Sequence, residues 1–330
     1  MKILIRALIG IGFGALLLWL ALSEIDTEQG RQVIGRANVS FMALAVASYW
    51  VAIAFRVVRW RMLLSGTNLL SFAQVSQALI VGYAVNNVLP ARLGEIFRAD
   101  FLRRRFDVSR SSALGSIIVE RLMDGMSVVI LLGIGLTAIG SFGNNMALVG
   151  AAIAGCALVV IGLAAVYAMI FWHHRLPLQR FPWLEMRIGK FAQGLMVVRG
   201  PVLYKALVLS AVVWFFEGTA VHLIMRGFGI ELGVLGTCLT IGAAALSTLL
   251  PSAPGYLGSL QVAFVLAYSA LGVAPILGVL SATAVQLLLL GSVTLVGLVM
   301  LLLSYFYGAA TSVRQLAAAD EQRPFGASTH

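Results

Sequence analysis

The sequence predicts an all-α polytopic integral membrane protein, with about six full spans plus two re-entrant helical hairpins in an inverted repeat. Three observations predict it. Hydrophobic residues make up 60% of the 330-residue chain, only 11% are charged and mean hydropathy is +0.97, whereas soluble domains carry about 25% charged residues. The net charge of +10 is confined to particular loops, which is how a membrane protein sets its orientation, so it is read as topology rather than as a nucleic-acid surface. Finally, Leu89-Pro90-Ala91-Arg92-Leu93-Gly94 recurs as Leu250-Pro251-Ser252-Ala253-Pro254-Gly255, a Leu-Pro-x-x-x-Gly helix break at an offset of 161 residues.

The elements follow in order. Lys2 and Arg6 precede a first apolar run at about 3–22; its length fits a span, and no strong small-residue cleavage site follows to make it a signal peptide. The N-terminus is therefore placed in the cytoplasm. Ser23–Ser40 carries Glu24, Asp26 and Glu28 and lies outside; the second span, about 41–64, ends inside at Arg56, Arg59 and Arg61. Six arginines between Ala91 and Arg110 make that segment cytoplasmic as well. With both flanks inside, the run 72–90 cannot cross and must dip in and return, with Asn86-Asn87-Val88-Leu89-Pro90 as the turn. The region 112–139 crosses outward and 146–172 returns. Five basic residues against Glu185 mark the loop 173–201 as cytoplasmic, and Trp183, Leu184, Met186, Ile188 and Phe191 suggest an interfacial helix within it. This loop separates a first half of about 1–172 from a second of about 202–305, followed by a tail at 306–330 that ends inside. The second half holds spans at about 202–226 and 276–303, with a run between them broken at Pro251–Gly258. Residues 234–271 form either a second re-entrant hairpin or two spans.

Paired broken helices mark a site near the bilayer midplane, because the break frees backbone N–H groups to face a polar ligand. Two unrelated Pro/Gly kinks are the alternative. The gate and hinge positions are Pro90, Gly94, Pro251, Pro254, Gly255 and Gly258. The 161-residue offset also sets Arg56 opposite Glu217, two ionisable residues inside apolar spans.

Intramembrane charge narrows the reading, since each such group costs about 2.5–3.5 kcal/mol at a helix centre even on the lowest scales. Glu120 and Asp124 share a face one turn apart, and Arg121 reaches Asp124 three residues on. A local ion pair that fixes packing is the competing explanation. Pro90 suits the first turn of an exiting half-helix carrying Arg92, Glu95 and Arg98 on one face. Its N-terminus, with Asn86, Asn87 and Arg92, suits a phosphate. The arginines could instead serve only orientation, a role Glu95 does not fit. Arg56, Arg59 and Arg61 stand at the cytoplasmic end of their helix; Arg61 is best explained by snorkelling, while Arg56 lies deeper. Glu217 needs a partner; His222 reads as a hydrogen-bonded helix residue. Cys156 and Cys238 are small core residues. No metal site and no cofactor are expected, and no Walker-type phosphate loop, nucleophile elbow or His-Glu-x-x-His motif occurs.

Four pieces taken in order carry a family resemblance: Arg56-x-x-Arg59-Trp60; Asn87-x-x-Pro90-Ala91-Arg92-x-Gly94-Glu95-x-x-Arg98; Glu120-Arg121-x-x-Asp124; and Pro251-x-x-Pro254-Gly255-x-x-Gly258. Together they resemble the lysylphosphatidylglycerol synthase transmembrane, or flippase-like, family. The resemblance implies a bundle with two re-entrant elements and movement of a polar lipid between leaflets. The bifunctional members add a soluble aminoacyl-transfer domain that this sequence lacks, so lipid synthesis is not carried over. Tyr256 and Gln261 stand where an acidic residue is expected.

The expectation is a lipid translocase of the inner membrane rather than an enzyme, acting on a phospholipid or polyprenyl-type lipid and not on nucleic acid. Arg56, Arg59, Asn86, Asn87, Arg92, Glu95, Arg98, Glu120, Arg121, Asp124 and Glu217 are its candidate substrate-binding residues. Two alternatives stay open. One is a membrane-embedded lipid or polyprenyl-lipid transferase with Glu120 or Asp124 as acid or base. The other is a non-catalytic scaffold partnering a lipid-synthesis enzyme, in which the charges form closed pairs around no cavity.

Overall fold

The computed structural model describes residues 32–64, 70–89, 93–139, 146–172, 182–195, 201–249 and 254–304. The expected first span at 3–22, the tail from 306, and Pro90, Arg92 and Pro251 lie outside the described residues. Every regular element among the described residues is helical. In chain order these are α1 (Val39–Leu64), α2 (Phe72–Val88), α3 (Leu93–Phe106), α4 (Arg110–Leu136), α5 (Met146–Trp172), α6 (Pro182–Leu195), α7 (Pro201–Gly227), α8 (Val234–Ser247), α9 (Ser259–Ala270) and α10 (Pro275–Ser304). A 3₁₀ turn at Pro254–Tyr256 precedes α9, and α10 contains a π-helical turn at Val285–Leu290. Four described helices are long and apolar enough to cross a membrane: α1, α5, α7 and α10. With 27 residues, α4 is as long as these but carries Arg110, Glu120, Arg121 and Asp124. This is an all-α membrane protein.

Local chemistry sets the boundaries. Ser71 caps α2 with Gln74 in a reciprocal capping box. The helix ends at Leu89, which takes an extended conformation (φ −100°, ψ 142°) because the following Pro90 excludes α geometry there. Arg103–Arg105 fill the last turn of α3 and complement its dipole, and the chain reverses at Asp107 with φ 53°. Most of the arginine-rich segment read as a cytoplasmic loop is thus the returning limb of a helical hairpin. Gly258, at φ 82°, opens α9, and Pro275 opens α10.

The second half repeats the first. Displacing α1, α2, α3 and α4 by 161 residues superposes their numbering, to within seven residues at every end, on α7, α8, α9 and α10. Contacts repeat in the same way: α2 packs on α3 and α8 on α9, α3 on α4 and α9 on α10. The two halves meet through α1 and α7, which run antiparallel: Asn38 N–H donates to the Gly227 carbonyl at 2.9 Å, Ser48 Oγ donates to the Phe216 carbonyl at 2.7 Å, and Arg59 reaches Ser210 at 2.7 Å. Two residue pairs separated by 161 positions touch each other there. Phe55 stacks on Phe216 with ring centroids 5.8 Å apart, and Arg56 pairs with Glu217. Such self-pairing places an approximate two-fold axis between α1 and α7, and antiparallel mates make the repeat an inverted one.

Close crossings use glycine. A side chain at Gly135 or Gly242 of α4 and α8 would strike the backbone of Leu239 or Leu132, and one at Gly297 of α10 would strike Ile80 and Ala84 of α2. These crossings of α4 with α8 and of α2 with α10 bring each half's hairpin against the other half's long helix. Within the first hairpin, a side chain at Gly94 would meet the Gly82 carbonyl, so the two limbs approach backbone to backbone. The peripheral α5 is exposed along most of its surface, with Leu148, Val166 and Ile170 turned inward, and α6 covers the start of α4 through Gly194 against Gly115, leaving Trp183 and Met186 outward.

The α2 limb of 17 residues and the α3 limb of 14 rise about 26 Å and 21 Å, and α8 and α9, with 14 and 12 residues, rise about 21 Å and 18 Å. None exceeds the roughly 30 Å hydrocarbon core. Because α2 and α3 form one hairpin, its ends lie on one side. Cysteines at Ser71 and Asp107 are expected to react with an impermeant maleimide from the same face of sealed vesicles; labelling from opposite faces contradicts the hairpin.

Candidate functional site

Helices α1, α3, α4 and α7 each carry charge into one buried cluster. From α1, Arg56 and Arg59 lie three residues apart and face α4 together. Glu120, Arg121 and Asp124 of α4 meet them, with Glu95 and Arg98 of α3 on one flank and Glu217 of α7 on the other. Asp124 is the hub. It accepts from Arg59 at 2.8 Å and from Arg56 at 3.1 Å, and Arg121 stands 3.8 Å away. Glu120, with no exposed side-chain surface, pairs with Arg98 at 2.8 Å and Arg59 at 3.3 Å. Arg121 reaches Glu95 at 3.1 Å, and Arg56 reaches Glu217 at 2.7 Å. Four guanidinium groups face four carboxylates, so the described cluster is electrically balanced. Arg98 also lies 3.8 Å above the Trp60 ring, whose Nε1–H donates to Ser116 Oγ at 3.2 Å.

Beside this cluster is a cavity of about 390 Å³ between the halves. Of the sequence-predicted residues, Arg56, Asn86, Asn87, Glu95, Arg121, Asp124 and Glu217 line it. Arg59, Arg98 and Glu120 do not. Fully buried, they sit behind the wall and fix the groups that form it. A direct phosphate contact from Arg98 is therefore not supported by its position, since its guanidinium is held between Glu120 and Trp60. Arg61, read as a snorkelling residue, donates to the Leu70 carbonyl at 2.7 Å. His222 is hydrogen-bonded to Thr237 at 2.9 Å, as expected of a packed helix residue.

Both hairpin tips border the cavity through Asn86 and Asn87 on one side and Thr248, Leu249 and Tyr256 on the other. A Cβ at Gly255 would lie 3.9 Å from the Asn87 carbonyl, so the tips adjoin. Asn86 closes its own break by accepting from Gly94 N–H at 2.7 Å. Asn87 instead donates to Thr294 of α10 at 2.8 Å. The second tip is tied to the same helix: Gln286 donates to the Gly255 carbonyl at 2.9 Å and accepts from Gln261 at 2.6 Å, while Gln261 accepts from Gly258 N–H at 2.9 Å. Gln286 lies in the π-helical turn, so that irregularity carries the second tip, and the first is fastened about two turns further on.

Sequence reasoning missed Tyr49, Tyr83, Gln286 and Thr294. Tyr49 could have been found, since it lies seven residues, or two turns, before Arg56 and so on the same face. Gln286 and Thr294 are single polar residues in an apolar span, a weak signal alone.

Removing one partner of a buried ion pair costs about 3–5 kcal/mol because the other charge is left uncompensated. Glu120→Leu is therefore expected to lower the thermal midpoint in nanodiscs strongly. Adding Arg98→Leu should recover part of the loss, since Arg59 keeps Asp124; strictly additive losses contradict the pairing.

Comparison with known proteins agrees with this architecture. The family described as Lysylphosphatidylglycerol synthase TM region matches residues 7–297. A UPF0104 membrane protein of Methanothermobacter thermautotrophicus is 24% identical over 80% of this chain and 84% of its own, and one of Methanocaldococcus jannaschii is 25% identical over 55% and 77%. Glycosyltransferase AglD of Haloferax volcanii is 24% identical over 92% of this chain but only 56% of its own length. No solved structure matches the chain. With most of its length matched by that one family, this multi-pass membrane protein, with a role tied to membrane lipids, belongs to the lysylphosphatidylglycerol synthase transmembrane-region family.

Proposed function

We propose that this protein moves a polar lipid between the leaflets of the inner membrane, with both termini in the cytoplasm and without enzymatic turnover. The observation that carries the reading is the cavity itself: it lies at the interface of two inverted halves, bordered by both hairpin tips and walled by charged and apolar residues. A lipid headgroup crossing hydrocarbon needs polar partners throughout its path. Arg121 and Glu95, the most exposed members of the cluster at 34% and 25% of side-chain area, are the groups that would exchange partners with it. Arg56, Asp124 and Glu217 would form the floor, and Arg59, Arg98 and Glu120 would hold them in place. Gly255 and Gly258, both at positive φ, and Gly94 would be the hinges of the gate, together with Pro90, Pro251 and Pro254.

The likeness to a glycosyltransferase favours a second reading, in which the chain supplies the membrane part of a lipid-linked transferase or binds a lipid-synthesis enzyme. Closed ion pairing fits a scaffold; the cavity does not.

The test is movement of fluorescent phosphatidylglycerol across proteoliposomes. Wild-type protein should speed equilibration, and Glu95→Gln or Arg121→Gln should slow it at least ~10-fold while remaining monodisperse, as expected when about 1.4 kcal/mol of headgroup stabilisation is lost. Movement unaffected by either change contradicts the proposal, and formation of a chemically modified lipid favours the transferase.

A further inference from the structure

The repeat permits a comparison that neither half allows alone. Six positions of the first half that line the cavity have mates 161 residues later that line it too: Arg56 with Glu217, Tyr83 with Ala244, Asn87 with Thr248, Glu95 with Tyr256, Asp124 with Val285, and Val128 with Leu289. The cavity thus straddles the axis between the halves, yet its two walls have diverged in chemistry. On α3 and α4 the wall is Glu95, Arg121 and Asp124 with Gly125 and Val128 beside them; on α9 and α10 every lining residue is apolar, with Val285, Leu289 and Leu290 at the surface and Phe264 and Val293 packed behind. The mate of Arg121 is Ala282, and the mates of Glu120 and Arg98 are Ser281 and Ser259.

The second half does contain polar side chains on these helices, but they are engaged elsewhere. Gln261 and Gln286 tie the tip, and Ser281 bonds the Tyr268 hydroxyl at 3.0 Å. None of the four lines the cavity. What faces the space from α9 and α10 is hydrocarbon.

From this division we infer that the site binds its ligand in one fixed orientation: the polar head lies against the first half, between Arg121, Glu95 and Asn86, and the beginning of the hydrocarbon chain lies against the second, along Val285, Leu289 and Leu290. A headgroup on the second wall would give up its hydration without partners, and a chain on the first would strand charged groups from theirs. This orientation rests on the proposed function and specifies its ligand as an amphiphile with one compact polar head and a hydrocarbon chain. A cavity of about 390 Å³ is at the small end of ligand sites, so it shelters the head and the first carbons of the chain while the remainder extends into the bilayer. Diacyl phospholipids and polyprenyl phosphates share that chemistry.

Photolabelling in nanodiscs tests the assignment. The probes are phosphatidylglycerol with a diazirine on the proximal acyl carbons, the same lipid with a diazirine on the head, and a polyprenyl phosphate with a diazirine in its first isoprene unit. Labelled residues are located by mass spectrometry, with the lipid-facing Ile161 and Tyr167 of α5 as the control for bilayer labelling. The expected result is that a chain probe labels Leu289 and Leu290 at least ~10-fold over Tyr83 and Arg121, while the head probe shows the reverse, the difference reflecting the cost of placing hydrocarbon among paired charges. Which of the two chain probes labels identifies the lipid source. Chain and head probes labelling both walls equally would overturn the orientation but leave a lipid site between the halves. Labelling of α5 alone, with neither wall reached by any probe, would overturn the orientation and the proposed function together.

Discussion

Asp124 cannot be left alone in hydrocarbon, and most of the structure around it follows from that. A carboxylate buried in the middle of a long helix of a membrane protein needs cations, and here three guanidinium groups from two helices converge on it: Arg56 and Arg59 of α1 and Arg121 of its own helix. Each of those cations then needs a further carboxylate, which Glu217, Glu120 and Glu95 supply. The chain of pairs therefore passes through α1, α3, α4 and α7. It contributes little to net stability relative to a well-packed apolar core, but any broken member leaves an uncompensated charge, so the arrangement of these four helices is strongly specified.

The two hairpins are fastened by different chemistry. The first is gripped along its returning limb by ion pairs, Arg98 with Glu120 and Glu95 with Arg121, and its limbs touch through Gly82 and Gly94. Among the described residues, the second is tied to α10 by neutral hydrogen bonds through Gln261 and Gln286, next to glycines at positive φ. Neutral bonds of this kind contribute about 0.5–1.5 kcal/mol each, far less than a buried ion pair costs to break. The second tip is joined to α10 in this way. Its hydrogen-bond partner lies in the π-helical turn of α10, where the regular ladder is already interrupted.

Much of this was legible in the sequence because it depends on residues whose chemistry is conspicuous in an apolar chain. The Leu-Pro-x-x-x-Gly breaks, the ends of α2 and the 161-residue offset all follow from prolines, glycines and charges, and the offset correctly set Arg56 against Glu217. The pairing pattern was not legible. Arg56, Arg59 and Arg98 look alike in sequence, and only the packing of α3 against α4 decides that Arg98 is sealed behind the wall while Arg56 faces the cavity. Apolar residues were harder still, because lipid-facing and cavity-facing positions are equally hydrophobic: Leu287 is 70% exposed and Leu289 3%, two residues apart on one helix. That degeneracy hid the second wall of the cavity.

The central claim is that lipid passes between the two halves by parting the hairpin tips. Its most direct test is to fasten those tips together with a short bifunctional thiol reagent, joining cysteines at Val88 and Leu249, both exposed beside the breaks, in a cysteine-free background. The account predicts that the doubly substituted protein cross-links within one chain and that phosphatidylglycerol movement in proteoliposomes then falls to the protein-free rate, while either single cysteine treated alike stays active. Cross-linked protein that still moves lipid at the uncross-linked rate would contradict the claim.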